Sequence, residues 1–244
     1  MRSRTLYWYE HRGPNDWVRH QIGQDAEMYG GACTIDVNGD GRRDILATNL
    51  WINKGAGKAW RHVRTGVGDG AHDMQAADFN GDGKMDALAF TQDGGLNWFE
   101  AQDDLSKPWK RHAIAPPDYA DGKVHACGAP EAAADLDGDG DIDVAAVAGW
   151  FENVDGKGTT WNYRRHDLFP ALTKNDKHAF PGGYAGKTVV RDMDGDGDHD
   201  IVQSECDTRT AAGIVWLENT NGRGAWKLHW IKTRVKEDYH SLRV

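Results

Sequence analysis

A nonapeptide that occurs four times, an aromatic segment that occurs five times and a Trp-to-His segment that occurs five times predict an all-β fold, a β-propeller of four-stranded blades. The nonapeptide reads DVNGDGRRD at 36–44, DFNGDGKMD at 78–86, DLDGDGDID at 135–143 and DMDGDGDHD at 192–200. The aromatic segments are LYWYE (6–10), NLWIN (49–53), LNWFE (96–100), GWFEN (149–153) and IVWLEN (214–219). The third landmark reads WVRHQI (17–22), WRHV (60–63), WKRHAI (109–114), WNYRRHDL (161–168) and WKLHWI (226–231). Together the two aromatic landmarks take ten of the eleven tryptophans, so tryptophan marks a repeating structural unit.

Each unit reads as four strands in a fixed order. Strand one runs into the Asp-rich loop, as in Cys33-Thr34-Ile35, and strand two leaves it, as in Ile45-Leu46-Ala47-Thr48. Strand three carries the aromatic segment, and strand four carries the Trp and His. The 30 glycines supply turns, and no helical period runs longer than two turns. Strand one is Ala-rich, as in Ala76-Ala77 and Ala132-Ala133-Ala134, which suits an innermost strand crowded near a propeller axis. Five aromatic segments imply five blades in one domain, 1–244, with blade segments at about 5–22 plus 240–244, 27–66, 72–115, 124–169 and 183–233. The chain begins at a third strand, and YHSLRV (239–244) looks like a first strand without its loop. The expectation is therefore a ring closed by N- and C-terminal strands in one blade; the alternative is a piece of a propeller with six to eight blades.

Composition removes whole classes of function. Of the 244 residues 39% are hydrophobic and 27% charged, and no run approaches the roughly 20 apolar residues of a membrane-spanning helix. Membrane insertion is not expected. The net charge of −9 disfavours nucleic acid, whose phosphates require a basic surface. Three cysteines, Cys33, Cys127 and Cys206, allow at most one disulfide and show no C-x-x-C spacing for zinc. The N-terminal MRSRTLYWYEH lacks the apolar core of a signal peptide. No G-x-S-x-G, Walker loop or dinucleotide-binding glycine pattern is present, which leaves hydrolase, nucleotide and redox-cofactor chemistry without support.

The nonapeptides point to calcium. Oxygen-bearing side chains stand at positions 1, 3, 5 and 9, a glycine at position 6, and position 7 can lend its backbone carbonyl. A hard cation with six to eight oxygen ligands fits that spacing. The candidate ligands are Asp36, Asn38, Asp40, Arg42 (carbonyl) and Asp44; Asp78, Asn80, Asp82, Lys84 (carbonyl) and Asp86; Asp135, Asp137, Asp139, Asp141 (carbonyl) and Asp143; and Asp192, Asp194, Asp196, Asp198 (carbonyl) and Asp200. The twelfth position, where an EF-hand places glutamate, holds Ala47, Ala89, Ala146 and Gln203, so a strand-loop-strand site is expected rather than an EF-hand. Up to four structural Ca²⁺ ions would bring the net charge from −9 to −1 and relieve most of the repulsion among the carboxylates.

With these loops the chain resembles the FG-GAP/VCBS-repeat family of calcium-binding β-propellers. The GAHDMQAADFNGDGKMD, WFEN and WKRHAI elements are also similar, more loosely, to propeller domains of aldos-2-ulose dehydratases. The first resemblance implies calcium in the loops between strands one and two and a secreted or cell-surface location, and it leaves the ligand open, since the family spans lectins, integrin heads, polysaccharide lyases and adhesive modules.

Propeller topology sets the Asp loops on one face and the long insertions 116–131, 169–187 and 204–213 on the other. Long loops on a rigid scaffold commonly carry binding function. They hold Tyr119, Lys123, His125, His178, Tyr184, Lys187, Glu205, Asp207 and Arg209, and a short connection adds His72 and Asp73. The expected function is carbohydrate or glycoconjugate binding on that face. The alternative is a lyase or dehydratase acting by proton abstraction and β-elimination, with His72, His125 and Tyr184 as the acid–base groups; a further one is a scaffold without a ligand. The strand-four histidines His20, His62, His112, His166 and His229 recur with their tryptophans and are read as packing.

Overall fold

A computed structural model describes residues 4–25, 31–67, 71–91, 95–116, 131–146, 149–166, 168, 186–205, 212–235 and 242. Among the described residues it contains eighteen β-strands and no helix. A two-stranded hairpin, β1 (Arg4–Gly13) and β2 (Asp16–Asp25), precedes four sheets. The first sheet is β3 (Cys33–Ile35), β4 (Asp44–Ala47), β5 (Asn49–Gly55) and β6 (Ala59–Val63). The second is β7 (Ala71–Ala77), β8 (Asp86–Thr91), β9 (Gly95–Glu100) and β10 (Lys110–Ala115). The third is β11 (Ala133–Ala134), β12 (Asp143–Ala146), β13 (Gly149–Asn153) and β14 (Trp161–Arg165). The fourth is β15 (Gly186–Arg191), β16 (Asp200–Glu205), β17 (Ala212–Asn219) and β18 (Trp226–Val235). Every sheet is an antiparallel meander with strands paired in sequence order, the form of a propeller blade. The C-terminal segment 240–244, invoked for ring closure, lies outside the described residues except for Leu242.

Burial follows position in the sheet. The second strand, as in Asp86-Ala-Leu-Ala-Phe90, is buried at every residue because sheets pack on both of its faces. In the outer strand β10 exposed residues interleave with the half-buried His112 and Ile114, and only Ala115 is buried, since one face meets water. One apolar cluster joins the first two sheets through Ile35, Leu46, Ile52, Met74, Phe99 and Trp109. Another runs through the second, third and fourth, with Phe79, Trp98, Leu136, Trp150, Ile201 and Leu217.

The strand-three tryptophan sits opposite a strand-four residue and stacks on it: Trp8 on His20, Trp51 on His62, Trp98 on His112 and Trp216 on His229, with ring centroids 4.0–4.4 Å apart. Two residues after three of these tryptophans stands a glutamate that the histidine also meets, Glu10 and Glu100 each at 2.8 Å and Glu218 closer still. The third sheet departs from this. Arg164, not His166, lies opposite Trp150 and pairs with Glu152, so His166 does not belong with the other four.

A second set of contacts locks one sheet to the next. The carbonyl of Gly57 accepts the indole N–H of Trp8 from the hairpin (2.8 Å) and that of Trp60 from its own sheet (3.0 Å). Gly158 repeats this with Trp98 of the second sheet (2.8 Å) and its own Trp161 (2.9 Å). Both glycines have positive φ, and a Cβ on either would lie under 3 Å from the incoming indole, so no other residue fits these turns. The amides of Asn153 and Asn219 add a bond to the preceding Asp loop, at Phe79 O (3.0 Å) and Leu136 O (2.9 Å).

Candidate functional site

The four Asp loops share one winding. The position-1 carboxylate accepts two backbone N–H groups of its own loop, Asp36 from Asp40 (3.1 Å) and Gly41 (2.8 Å), and Asp135 from Gly138 (2.7 Å) and Gly140 (3.0 Å). Position 5 accepts the N–H of position 7, as Asp139 does from Asp141 (2.9 Å). Glycines at positions 4 and 6 take φ between +67° and +100°, the left-handed turn that gathers the oxygens on one side.

Position 9 does something different. Asp44, Asp86, Asp143 and Asp200 are almost fully buried, and each accepts two backbone N–H groups. One comes from position 2 of its own loop (Val37, Phe79, Leu136, Met193) and the other from the end of strand three or just beyond it (Asn53, Ala101, Asn153, Asn219). These carboxylates pin each loop to the turn between strands three and four. Burial pushes Asp86 up to about 7 and Asp143 up to about 8, against the pull of the two N–H donors.

The oxygens fit a hard cation. Ligand atoms of Asp135, Asp137 and Asp143 lie within 4.8 Å of one another, as do those of Asp192, Asp194 and Asp196. Asp137 Oδ1 and Asp198 Oδ1 are buried without a hydrogen-bond partner. Desolvation, followed by repulsion from neighbouring carboxylates, raises Asp137, Asp141 and Asp194, and takes Asp198 to about 6. A divalent ion bound there would satisfy the orphaned oxygens and hold the carboxylates ionised. In the first two loops position 3 is asparagine, and position 7 carries a cation: Arg42 pairs with Asp40, and Lys84 lies 3.8 Å from Asp82 and 2.6 Å from Asp103.

Of the insertion-face candidates, Lys187 is placed in full. It stands at the start of β15, buried, with Nζ 2.7 Å from the partly buried Asp73 carboxylate on β7. The pair bridges the first strands of the second and fourth sheets, which flank the third. Gln75 ties β7 to the third sheet, donating to Ala133 O (3.2 Å) and accepting from Ala133 N–H (2.9 Å). Glu131 and Val189 form a parallel bridge between the third and fourth, and Gln203 reaches Ala146 O (2.8 Å). First strands of three sheets thus converge on one line, with Lys187 and Asp73 at its insertion end. His72 lies in β7 and Glu205 in β16, their side chains outside the described residues. Tyr119, Lys123, His125, His178, Tyr184, Asp207 and Arg209 lie outside them too, as do Cys127 and Cys206. Asp73, which the short connection contributes beside His72, is the partner of Lys187, and no local sequence signal couples the two. Cys33 is a free thiol pushed up to about 12 by burial, which makes it a poor nucleophile.

No curated protein matches the chain. Among solved structures it is similar to the crystal structure of the V. cholerae biofilm matrix protein Bap1, at 19% identity and a TM-score of 0.45 over 85% of this chain. The chain spans 28% of the length of that structure. The family model of the FG-GAP-like repeat matches residues 36–89, which run from the first Asp of one loop through the whole of the next into β8. The matched segment holds the first two Asp loops and the strands between them.

Proposed function

We propose that this chain is a calcium-stabilised β-propeller that binds carbohydrate at the axial end opposite its Asp loops. In this reading the hairpin and the C-terminal strand complete a fifth blade. Up to four Ca²⁺ ions, held by the residues at positions 1, 3, 5 and 9 of each loop and the carbonyl at position 7, keep the carboxylates ionised and the loops wound. Loops without the twelfth-position glutamate suit the millimolar calcium outside cells, and the protein acts there, secreted or at a cell surface. The observation that carries the ligand site is the ion pair between the buried Lys187 and the partly buried Asp73. A desolvated cation and carboxylate held at 2.7 Å between two sheets offer a donor and an acceptor to paired sugar hydroxyls, at the place where the insertions emerge.

A glycan array run with calcium present, followed by calorimetry on the best binder, tests this. Lys187→Met and Asp73→Asn should each weaken binding about tenfold or more while thermal unfolding stays cooperative. An array without a single reproducible glycan rejects the carbohydrate reading. Acidic polysaccharides are assayed in parallel at 235 nm; an absorbance rise that disappears in His125→Ala and Tyr184→Phe would replace binding with β-elimination as the activity.

A further inference from the structure

The first and second sheets share neither the glycine-carbonyl lock of the hairpin–first and second–third seams nor the asparagine bond that joins the third sheet to the fourth. Between the first and second sheets, the connection 101–109 reads AQDDLSKPW and has no glycine to present the shared carbonyl. Trp51 and Trp109, which correspond to the two donors on Gly158, are both buried with indole N–H groups that have no partner. Ala101 takes the place of Asn153 and Asn219, which removes the amide bond to the preceding loop. At position 2 of that loop stands the partly buried Val37, where the next two loops place fully buried Phe79 and Leu136. All these replacements fall at the same seam, and a cleft of about 680 Å³ opens there, within the size range of ligand pockets.

Its lining sets the chemistry. Val37, Met85 and Leu105 supply apolar surface, and Met85 is 45% exposed. Lys84 is held by Asp103 and the Asp36 carboxylate accepts the N–H groups of Asp40 and Gly41, so the cation available to a ligand is Arg43, which is exposed and makes no side-chain ion pair or hydrogen bond among the described residues. No aromatic ring lines the cleft, so a sugar finds nothing to stack on; one free guanidinium does not make a phosphate site. An aliphatic side chain in a seam with a carboxylate beside it on Arg43 matches what is present.

We propose that the cleft between the first and second sheets, on the Asp-loop face, binds a short peptide segment that places an aliphatic side chain against Val37 and Leu105 and an adjacent carboxylate on Arg43. The site is separate from the Lys187–Asp73 end of the molecule and does not depend on it.

The test uses fluorescein-labelled hexapeptides Gly-Ser-X-Asp-Ser-Gly, with X as Leu, Met, Val or Ser, titrated against the full chain in calcium buffer and read by anisotropy. Leu or Met at X should bind at least about tenfold tighter than Ser, and replacing the peptide Asp by Asn should cost about three- to tenfold. Val37→Phe, which copies the residue of the neighbouring seam, should abolish binding and raise the melting temperature. Arg43→Ala should erase the preference for Asp over Asn. If Val37→Phe fails to fold, the surface variant Met85→Lys should give the same loss. Absence of saturable binding by every peptide up to about 1 mM overturns the proposal. So does binding unchanged by Val37→Phe or Met85→Lys, or displacement of the peptide by maltohexaose.

Discussion

The two halves of the repeat array solve the same electrostatic problem in opposite ways. In the first two loops asparagine replaces one aspartate and a basic residue stands at position 7. DVNGDGRRD sets two guanidiniums against three carboxylates, and DFNGDGKMD sets one ammonium against three. The last two loops, DLDGDGDID and DMDGDGDHD, carry five carboxylates each and no Lys or Arg. The first pair is partly neutralised by its own side chains, whereas the second pair has no Lys or Arg of its own to do so. It is in these last loops that carboxylate oxygens are orphaned in the interior and that Asp137, Asp141, Asp194 and Asp198 are raised by desolvation and mutual repulsion. A conserved-looking motif is thus not one motif but two, differing in how much of the ion's work the protein does itself.

Calcium removal should break the two halves apart most strongly. Each site saturated at about a hundred times its Kd adds about 2.7 kcal/mol, so chelation should lower the melting temperature by many degrees. Asp139→Ala and Asp196→Ala should forfeit more of that stabilisation than Asp40→Ala and Asp82→Ala, as read by calorimetry with and without EGTA. Equal losses in the four variants would show that the basic residue at position 7 does not substitute for charge on the ion.

Acidity supplies a second contrast. Without calcium, Asp86 and Asp143 titrate in the folded protein at about 7 and about 8, well above the ordinary aspartate value of about 3.9 in the unfolded chain. Between about pH 4 and pH 8 the folded state therefore holds more protons, and the chelated protein should lose stability as pH rises through that window. Saturating calcium, which binds the ionised carboxylates, should flatten or invert the slope. Denaturant melts at pH 5 and pH 8 check it.

Converting one loop type into the other sharpens the comparison further. Asp141→Arg gives the third loop the position-7 cation of the first. It should stabilise the EGTA-treated protein and shrink its response to calcium, by an amount set by relief of repulsion around Asp139 and Asp135.

The smallest effect concerns the seams. Trp98→Phe removes a bond to Gly158 O, while the same change at Trp51 removes an N–H that has no acceptor. With similar volume lost, Trp98→Phe should be the more destabilising by about 1 kcal/mol.

Most of the blade architecture was legible in the sequence because period-two strands, Gly turns and tryptophan landmarks are local signals. Each Asp loop indeed joins first and second strands, and the histidines His20, His62, His112 and His229 pack on tryptophan as repetition implied. His166 was misgrouped because WNYRRHDL offers Arg164 and His166 two residues apart, and only the Trp150 register chooses between them. The double duty of position 9 was also invisible. A ligand and a loop staple ask for the same aspartate, and only the N–H groups of Asn53 or Ala101, nine and fifteen residues away, reveal the second role. Lys187 could be named as a candidate, but its partner Asp73 lies 114 residues away and no local pattern couples them.

The shared glycine carbonyl has a consequence for how the chain comes apart. Because Gly57 and Gly158 each receive a donor from the unit before, every turn so built is a rivet between neighbours, and stability propagates along the array as a nearest-neighbour sum. Between the first and second sheets there is neither such a rivet nor the asparagine bond that joins the third sheet to the fourth. Under force or mild denaturant, the polypeptide should part there into two cooperative blocks, the hairpin with the first sheet and the remaining three sheets together, in the manner of a strip perforated along one line.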